Sequence, residues 1–216
     1  MLRNKIIESY FVANEGLRGL QGNFEEAVTA MINCYEEGGK LLICGNGGSS
    51  ADADHIVGEL MKGFESDRPL PEETISSFTR IMGERGTDIG KKLHRALPAI
   101  SLSSHTALVT SISNDIGYEY VYAQQVIGYG RKGDILLALS TSGNSPNILN
   151  ACVAARATGL KTIAITGQSG GKIRDYCDIP LNIPETRTAI IQERTIQLYH
   201  LLCRALELHF FGGNRD

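Results

Sequence analysis

Residues 40–61 read KLLICGNGGSSADADHIVGELM, and this stretch contains the three parts of a strand–turn–helix unit. An apolar run that ends at Gly45 predicts a buried strand, and the glycine and serine residues after it predict a tight turn. The segment that follows has its apolar residues at helical spacing, with Ser49 or Ser50 expected near the N-cap. A buried strand that passes through a glycine-rich turn into a helix is typical of α/β proteins with a parallel sheet.

The same alternation continues along the chain and predicts four more strands. They are PAISLS, DILLALS, KTIAITG and CDIPLNIP, and Pro180 in the last of these suggests an edge strand. We therefore expect a single domain over 1–216, an α/β fold with a doubly wound, five-stranded parallel sheet and helices on both faces. Residues 1–38 are expected to form an N-terminal helical hairpin, with Asn23 capping its second helix.

One segment, at 68–97, interrupts this rhythm between the first glycine-turn helix and the second strand. It is polar, mixed in charge and bracketed by prolines. We expect an insertion here, which is either a lid over the edge of the sheet or a plain solvated excursion.

The composition argues against several classes of protein. The 216 residues are 42% hydrophobic and 21% charged, which is ordinary for a globular domain, and the formal charge of −3 gives no support for nucleic-acid binding. No stretch approaches the ~20 apolar residues of a membrane span, and we expect a cytoplasmic protein. The five cysteines lack metal-type spacing and are expected to be idle thiols: Cys34, Cys44, Cys152, Cys177 and Cys203.

Two glycine-serine loops each follow a predicted strand and open a helix: GNGGSS at 45–50 and STSGNS at 140–145. Ligands of parallel sheets bind at the carboxyl ends of the strands, where the strand order reverses. Free N–H groups at the start of a helix attract anions, glycine allows close approach, and hydroxyls add donors. Neither loop completes a dinucleotide motif or a P-loop, so we expect no nucleotide cofactor. The pair of loops favours a phosphate on a small molecule over a merely structural connection.

Two pairs of polar residues lie in otherwise apolar helical stretches. His55 and Glu59 are four residues apart and share a helix face, and the simplest interpretation is an exposed contact worth about 0.2–0.5 kcal/mol. Gln192 and His200 lie in the last helix, where a buried polar group needs a partner or a function. Together the four residues could form an acid–base site or a metal site.

Five stretches, CGNGGSSADADHIVGEL, ISND, GDILLALSTSGNSPNI, ITGQSGGK and IQERTIQLYH, together resemble the sugar isomerase (SIS) superfamily, whose domain is flavodoxin-like. The resemblance is closest to phosphoheptose isomerases, which act on sedoheptulose 7-phosphate, and it covers nearly the whole chain apart from the insertion. A non-catalytic relative, the DnaA initiator-associating protein, lacks the glutamate of the first helix and the histidine of the last. Glu59 and His200 are both present here, so the resemblance favours an enzyme.

The resemblance implies a role for each matching residue. Glu59 and His200 would be the catalytic proton-transfer pair. In some members a zinc ion is bound, and its ligands here would be His55, Glu59, Gln192 and His200. The substrate-binding positions would be Asn46, Gly47, Gly48, Glu59, Asn114, Asp115, Ser140, Thr141, Ser142, Ser145 and Gln192, with the four hydroxyl residues at 140–145 holding the phosphate. A homotetramer with sites at subunit interfaces is also implied.

The implied reaction converts sedoheptulose 7-phosphate into D-glycero-D-manno-heptose 7-phosphate. A proton moves between C1 and C2 through an enediol-type intermediate, which requires a base, an acid and stabilisation of a developing oxyanion. Glu59 in a partly desolvated cleft suits the base, and His200 suits the acid because imidazole titrates near neutral pH. A zinc ion, if bound, would polarise the carbonyl.

Two features depart from the resemblance. Gln192 and His200 would be about 12 Å apart along one straight helix, so either the helix begins after Gln192 or the ligands come from different subunits. The phosphoheptose isomerases carry an arginine four residues after the glutamate, where this chain has Gly63, with Lys62 beside it. This departure and the insertion leave two alternatives open: an isomerase of another sugar phosphate, or a non-catalytic phosphosugar-binding protein that binds a partner.

Overall fold

The computed structural model describes residues 2–212, and its centre is a five-stranded parallel sheet. The strands lie in the order β2-β1-β3-β4-β5, with every neighbouring pair parallel. Their bounds are β1 Leu41–Gly45, β2 Ala99–Ser101, β3 Ile135–Ser140, β4 Lys161–Thr166 and β5 Ile179–Asn182. The predicted doubly wound α/β fold is confirmed, including the weak last strand at the edge.

Eight α-helices and three short 3-10 helices are found among residues 2–212. The α-helices are α1 Leu2–Ala13, α2 Gln21–Glu36, α3 Gly48–Met61, α4 Glu72–Lys92, α5 Thr106–Asp115, α6 Val121–Tyr129, α7 Pro146–Ala157 and α8 Thr188–Phe211. The 3-10 helices are Glu15–Leu20, Tyr118–Tyr120 and Lys172–Tyr176. None of the helices in this described range is long and apolar enough to cross a membrane.

The sheet buries side chains on both faces, which is why its strands are continuous apolar runs. Side chains alternate along β1, so that Leu41 and Ile43 join one hydrophobic core while Leu42 and Cys44 join the other. The first core is closed by α1, α2, α3 and α8, and the second by α5, α6 and α7. The N-terminal helices α1 and α2 therefore belong to the first core, which we call the main core.

The predicted cap of α2 at Asn23 is wrong, whereas Ser49 lies near the cap of α3 as expected. α2 begins at Gln21, so Asn23 lies inside it, and the Asn23 side-chain amide donates instead to the carbonyl oxygen of Pro180 at 2.7 Å. This contact ties α2 to the edge strand β5. The N-cap of α3 is Gly47, rather than Ser49 or Ser50, and its φ of 56° is in the region that favours glycine. Helix α3 thus begins two or three residues earlier than a cap at Ser49 or Ser50 would place it.

The 68–97 segment contains a helical hairpin. The helical geometry of α4 breaks at Met82 and Gly83, and the two arms pack closely, with the hydroxyls of Thr79 and Thr87 2.7 Å apart. A Cβ on Gly86 would lie 2.0 Å from the carbonyl oxygen of Phe78, so only glycine allows this approach of the arms.

The chain leaves and rejoins the core at neighbouring points. Pro69 and His94 form an isolated antiparallel bridge, and Arg95 N donates to Arg68 O at 2.7 Å. Arg68 and Leu97, at the two ends of the predicted insertion, are both buried, and the bounds of the insertion stay a prediction.

Candidate functional site

The glycine-serine loops flank the point where the strand order reverses. After β1 the chain crosses to β2 on one side, and after β3 it crosses to β4 on the other. The carboxyl ends of β1 and β3 are adjacent, with Gly45 paired to Leu139 in the ladder. Both loops therefore open at one edge of the sheet, which is where parallel α/β proteins bind ligands.

In the loop after β1, Gly48 lies next to the side chain of Gln192. A Cβ on Gly48 would lie 2.7 Å from Nε2 of Gln192, which comes from the start of α8. The structure thus brings Gly48 and Gln192 together, and the substrate-binding role of this loop stays a prediction.

Asn46 is fixed by a network that the sequence did not predict. Its side chain and that of Asn147 exchange two amide hydrogen bonds of 2.9 Å each. The Tyr118 hydroxyl also donates to Asn46 Oδ1 at 3.0 Å. These bonds join both loops and the 3-10 helix before α6. The sequence feature that points to Asn147 is its position as the second residue of α7, directly after the STSGNS loop.

The loop after β3 presents hydroxyl groups at the start of α7. Ser142 is exposed, Thr141 and Ser145 are half-buried, and Ser140 Oγ accepts a hydrogen bond from Gly143 N at 3.2 Å. Ser145 is the N-cap of α7, and its side chain makes no capping bond. The four predicted hydroxyls thus cluster at a helix N-terminus, a geometry that suits an anion.

A third loop, GQSGG after β4, packs against the STSGNS loop at 140–145, which we call the hydroxyl loop. A Cβ on Gly143 would lie 2.0 Å from Gly170 O, and Gly143 has a φ of 63°. Lys172 N donates to Asn144 Oδ1 at 3.1 Å. The ITGQSGGK stretch therefore supports the conformation of the hydroxyl loop.

The predicted proton-transfer residues Glu59 and His200 both lie beside His55, between α3 and α8. His55 Nε2 lies 3.1 Å from Glu59 Oε1, and the rings of His55 and His200 are 5.1 Å apart in an edge-to-face arrangement. The Glu59 side chain is only 13% exposed, and Lys62 Nζ lies 3.7 Å from its Oε2. Nε2 of His200 is buried and has no hydrogen-bond partner within the described chain. Burial lowers the pKa of His200, and the neighbouring His55 adds to this effect.

Two further residues hold His55, and sequence inspection missed both. The Tyr199 hydroxyl lies 2.9 Å from His55 Nδ1 and 3.4 Å from Asp52 Oδ1. Burial raises the pKa of Tyr199 and also that of Asp52.

A buried ion pair fixes the end of the helix that carries Glu59. Arg68 Nε donates to Glu207 Oε1 at 2.8 Å, and the two side chains are 0% and 2% exposed. The Arg68 guanidinium also donates to the carbonyl oxygens of Leu60 at 2.8 Å and Glu59 at 3.0 Å. Glu207 accepts from Phe64 N, so that the pair links α3, the following loop and α8.

Asn114 and Asp115 are less directly placed. They end α5, are exposed, and bond to each other at 2.8 Å through Asn114 Nδ2 and Asp115 Oδ1. Over residues 2–212 no hydrogen bond joins either one to Asn46, although Tyr118, three residues on, makes that contact. Their predicted contact with substrate stays a prediction.

The four predicted zinc ligands do not meet in one chain. α8 runs unbroken from Thr188 through Gln192 and His200, so the alternative that the helix begins after Gln192 is wrong. Gln192 lies at the Gly48 turn, whereas His55, Glu59 and His200 form the other cluster. No group of three His, Cys, Asp or Glu residues in the described part of the chain is placed to hold a metal ion.

A doubly wound parallel sheet, with glycine-serine loops at its switch point and a carboxylate–imidazole cluster between α3 and α8, defines an α/β protein whose loops suit a small anionic ligand. The sequence matches the SIS domain family over residues 13–96 and 87–167. It is 37% identical to a phosphoheptose isomerase of Helicobacter pylori (strain P12), over 97% of this chain and 98% of the relative. It is 38% identical to that of Laribacter hongkongensis, over 96% and 94%.

Solved structures agree with these relatives. The phosphoheptose isomerase GmhA of Neisseria gonorrhoeae is similar with a TM-score of 0.72 and 34% identity, over 95% of this chain and 96% of that one. The phosphoheptose isomerase of Francisella tularensis gives a TM-score of 0.74 and 34% identity, over 95% and 98%. The chain therefore belongs to the SIS domain family and, within it, to the phosphoheptose isomerases.

Proposed function

We propose that this protein interconverts sedoheptulose 7-phosphate and D-glycero-D-manno-heptose 7-phosphate. The observation that carries the proposal is the half-buried Glu59 carboxylate beside two imidazoles, on the helix that leaves the glycine turn. The similarity to phosphoheptose isomerases over almost the whole chain supports it. Both residues that distinguish an isomerase from the non-catalytic relative, Glu59 and His200, lie in this cluster.

The hydroxyl loop would bind the phosphate and position the sugar. Ser142 and Ser145 offer hydroxyls at the N-terminus of α7, and the helix dipole favours the negative charge. Binding energy at the phosphate would hold the reacting carbons near Glu59, because the phosphate itself does not react.

Glu59 would remove a proton from C1 of the ketose and return it to C2, which gives the aldose through an enediol. His200 would donate a proton to the carbonyl oxygen at C2 and recover one from the hydroxyl at C1. The partly buried environment limits competing water around both groups.

Zinc and a homotetramer stay predictions. The donors of His55, Glu59 and His200 are types that zinc accepts, and Gln192 would have to come from a partner subunit to join them. When bound, the ion would act as a Lewis acid on the substrate carbonyl. A shared site of this kind would require the interfaces of a symmetric oligomer.

A second candidate is isomerisation of a different sugar phosphate, and Gly63 favours it. This position lacks the expected arginine, and its backbone N–H donates to His94 Nδ1 at 3.0 Å, at the base of the hairpin. The surroundings of Glu59 therefore differ from those implied by the resemblance.

The experiment is a product assay by NMR with purified full-length protein and sedoheptulose 7-phosphate, before and after addition of zinc. We expect the heptose aldose to form, and the control variant Glu26→Gln, at an exposed site on α2, to match wild type. Formation of an aldose only from another ketose phosphate would favour the second candidate. Binding of sugar phosphates without any turnover would contradict both.

A further inference from the structure

The outer edge of β2 carries backbone hydrogen-bonding groups that no other strand uses. β2 ends the sheet, and in a parallel pair only alternate residues bond to a given neighbour. Pro98 O accepts from β1 at 3.0 Å and Leu102 N donates to β1 at 2.8 Å, so the register assigns the bonds between them to Ile100. The N–H and C=O of Ala99 therefore point away from β1. Ala99 is buried, and buried backbone groups of this kind are nearly always bonded to a partner.

A cavity of about 380 Å³ lies against this edge, and we call it the β2-edge pocket. Its volume is within the range of small-molecule sites. Val57 of α3 and Tyr129 of α6 both line it. The two side chains come from opposite faces of the sheet, because Val57 packs against the main core and Tyr129 against the second core. The pocket is thus a slot that continues the plane of the sheet between two largely apolar walls.

The side chains around the pocket offer mainly hydrogen-bond acceptors. Gln125 lines the pocket and is 2% exposed, and its amide nitrogen donates to the carbonyl oxygens of Leu102 at 2.8 Å and Val121 at 2.9 Å. Its Oε1 accepts no hydrogen bond within the described part of the chain, although a buried acceptor needs a donor. Asp54 accepts from the Ser104 hydroxyl, and its carboxylate keeps further acceptor capacity. An occupant of the pocket should therefore be rich in N–H or O–H donors.

Charge and length narrow the class of occupant. Among the described residues that line the pocket there is no lysine or arginine, and the Asp54 carboxylate repels anions. A phosphate or carboxylate group is therefore disfavoured here, in contrast to the hydroxyl loop. An added strand from a partner protein is disfavoured as well, because β2 has three residues whereas strands usually have five or six. The pocket favours a small, planar, uncharged molecule.

We propose that the β2-edge pocket binds an uncharged nucleoside, with the edge of its base paired to the backbone of Ala99. A nucleobase carries a donor beside an acceptor on one planar edge, which matches the C=O and N–H of a single strand residue. Val57 and Tyr129 would cover the two faces of the base, and the ribose hydroxyls would donate to Asp54. The site uses no residue of the hydroxyl loop or of the carboxylate–imidazole cluster, and it does not rest on the proposed function.

The test is a titration of the full-length protein with adenosine, guanosine, cytidine and uridine, each up to about 1 mM. Alanine labelled with ¹⁵N reports the Ala99 amide, and its signal is assigned by its loss in Ala99→Gly. Val57→Phe fills the pocket, and Val153→Phe is the matched control at an exposed site on α7. Tyr129→Ala is a second pocket variant, because it removes one wall without adding volume.

We expect at least one nucleoside to bind with a Kd below about 1 mM and to shift the Ala99 amide signal. Val57→Phe and Tyr129→Ala should each weaken this binding at least about tenfold, while Val153→Phe matches wild type. If none of the four nucleosides shifts the Ala99 amide, the proposal is wrong. It is also wrong if binding is unchanged in both pocket variants. Protection of the Ala99 amide from hydrogen exchange that is lost on dilution of the ligand-free protein would show that a second chain covers the edge, and would overturn it as well.

Discussion

Glu59 is held at its side chain and at its backbone by different residues. Its carboxylate meets His55 and Lys62, while its carbonyl oxygen accepts from the buried Arg68. Removing one partner of a buried ion pair such as Arg68–Glu207 costs about 3–5 kcal/mol, so this support is part of the fold as well as of the site. The carboxylate is thereby held in place before substrate arrives, which is what proton transfer requires.

At the residue scale, the structure predicts that Ser142 acts on binding rather than on chemistry. Ser142→Ala removes an exposed hydroxyl from the candidate phosphate loop, so we expect KM to rise about tenfold with a smaller change in kcat. Steady-state kinetics measure the change in KM and the change in kcat separately. Ser111→Ala is the control, because the Ser111 hydroxyl bonds only within α5. A larger loss in kcat than in KM would place the phosphate elsewhere.

The spacing of His55 and Glu59 could be predicted to put them on one helix face, and the structure joins them as that spacing implies. Their partners could not be predicted in the same way. Tyr199 is 144 residues away from His55, and Glu207 is 139 residues away from Arg68. Helical periodicity shows which residues share a face, but it carries no information about which face of another helix lies opposite.

At the scale of elements, glycine decides how closely the loops approach each other. Gly143 has a positive φ and almost touches Gly170, whereas a Cβ on Gly22, in α2, would meet nothing within 4 Å. We expect Gly143→Ala to lower the free energy of unfolding by about 1–3 kcal/mol. Gly22→Ala should raise it by about 0.5–1 kcal/mol, because glycine is costly inside a helix. Denaturant titrations measure both, and a neutral Gly143→Ala would contradict the contact.

The helical hairpin of α4 gives a second prediction at this scale. Replacement of residues 70–93 by a short glycine linker should leave a cooperative thermal transition, because Pro69 and His94 are already adjacent. Deletion of 70–97 also removes the buried Leu97, and it should cost about 2 kcal/mol more. Circular dichroism during heating compares the two. Loss of folding in the shorter deletion would show that the hairpin belongs to the core.

At the scale of the whole molecule, the fold was predictable because its five strands are apolar runs between helical patterns. The loops that close the site were predictable too, since ligand sites of such sheets lie at the carboxyl ends of strands. The hairpin of α4 was not predictable, because its helices have a polar, mixed-charge sequence that is also typical of a solvated loop. Its glycines at 83, 86 and 90 form the turn between the arms and the close packing contacts.

The proposed sharing of sites between subunits predicts complementation. Glu59→Gln and Gln192→Ala subunits, each inactive alone, would be unfolded together and refolded as mixed oligomers. With random mixing, about a quarter of the sites would receive both wild-type side chains, and a similar share of activity should return. Activity is measured with sedoheptulose 7-phosphate. Mixed oligomers without recovered activity would place Glu59 and Gln192 in the same subunit's site.

The most direct test of the central claim, that Glu59 moves a proton between C1 and C2, is turnover of sedoheptulose 7-phosphate in D₂O, followed by NMR. We predict that wild type and Glu26→Gln place solvent deuterium at C2 of the aldose product over many turnovers. Glu59→Gln should lower the rate by about a hundredfold or more, because it removes the general base. A near wild-type rate in Glu59→Gln would contradict the account.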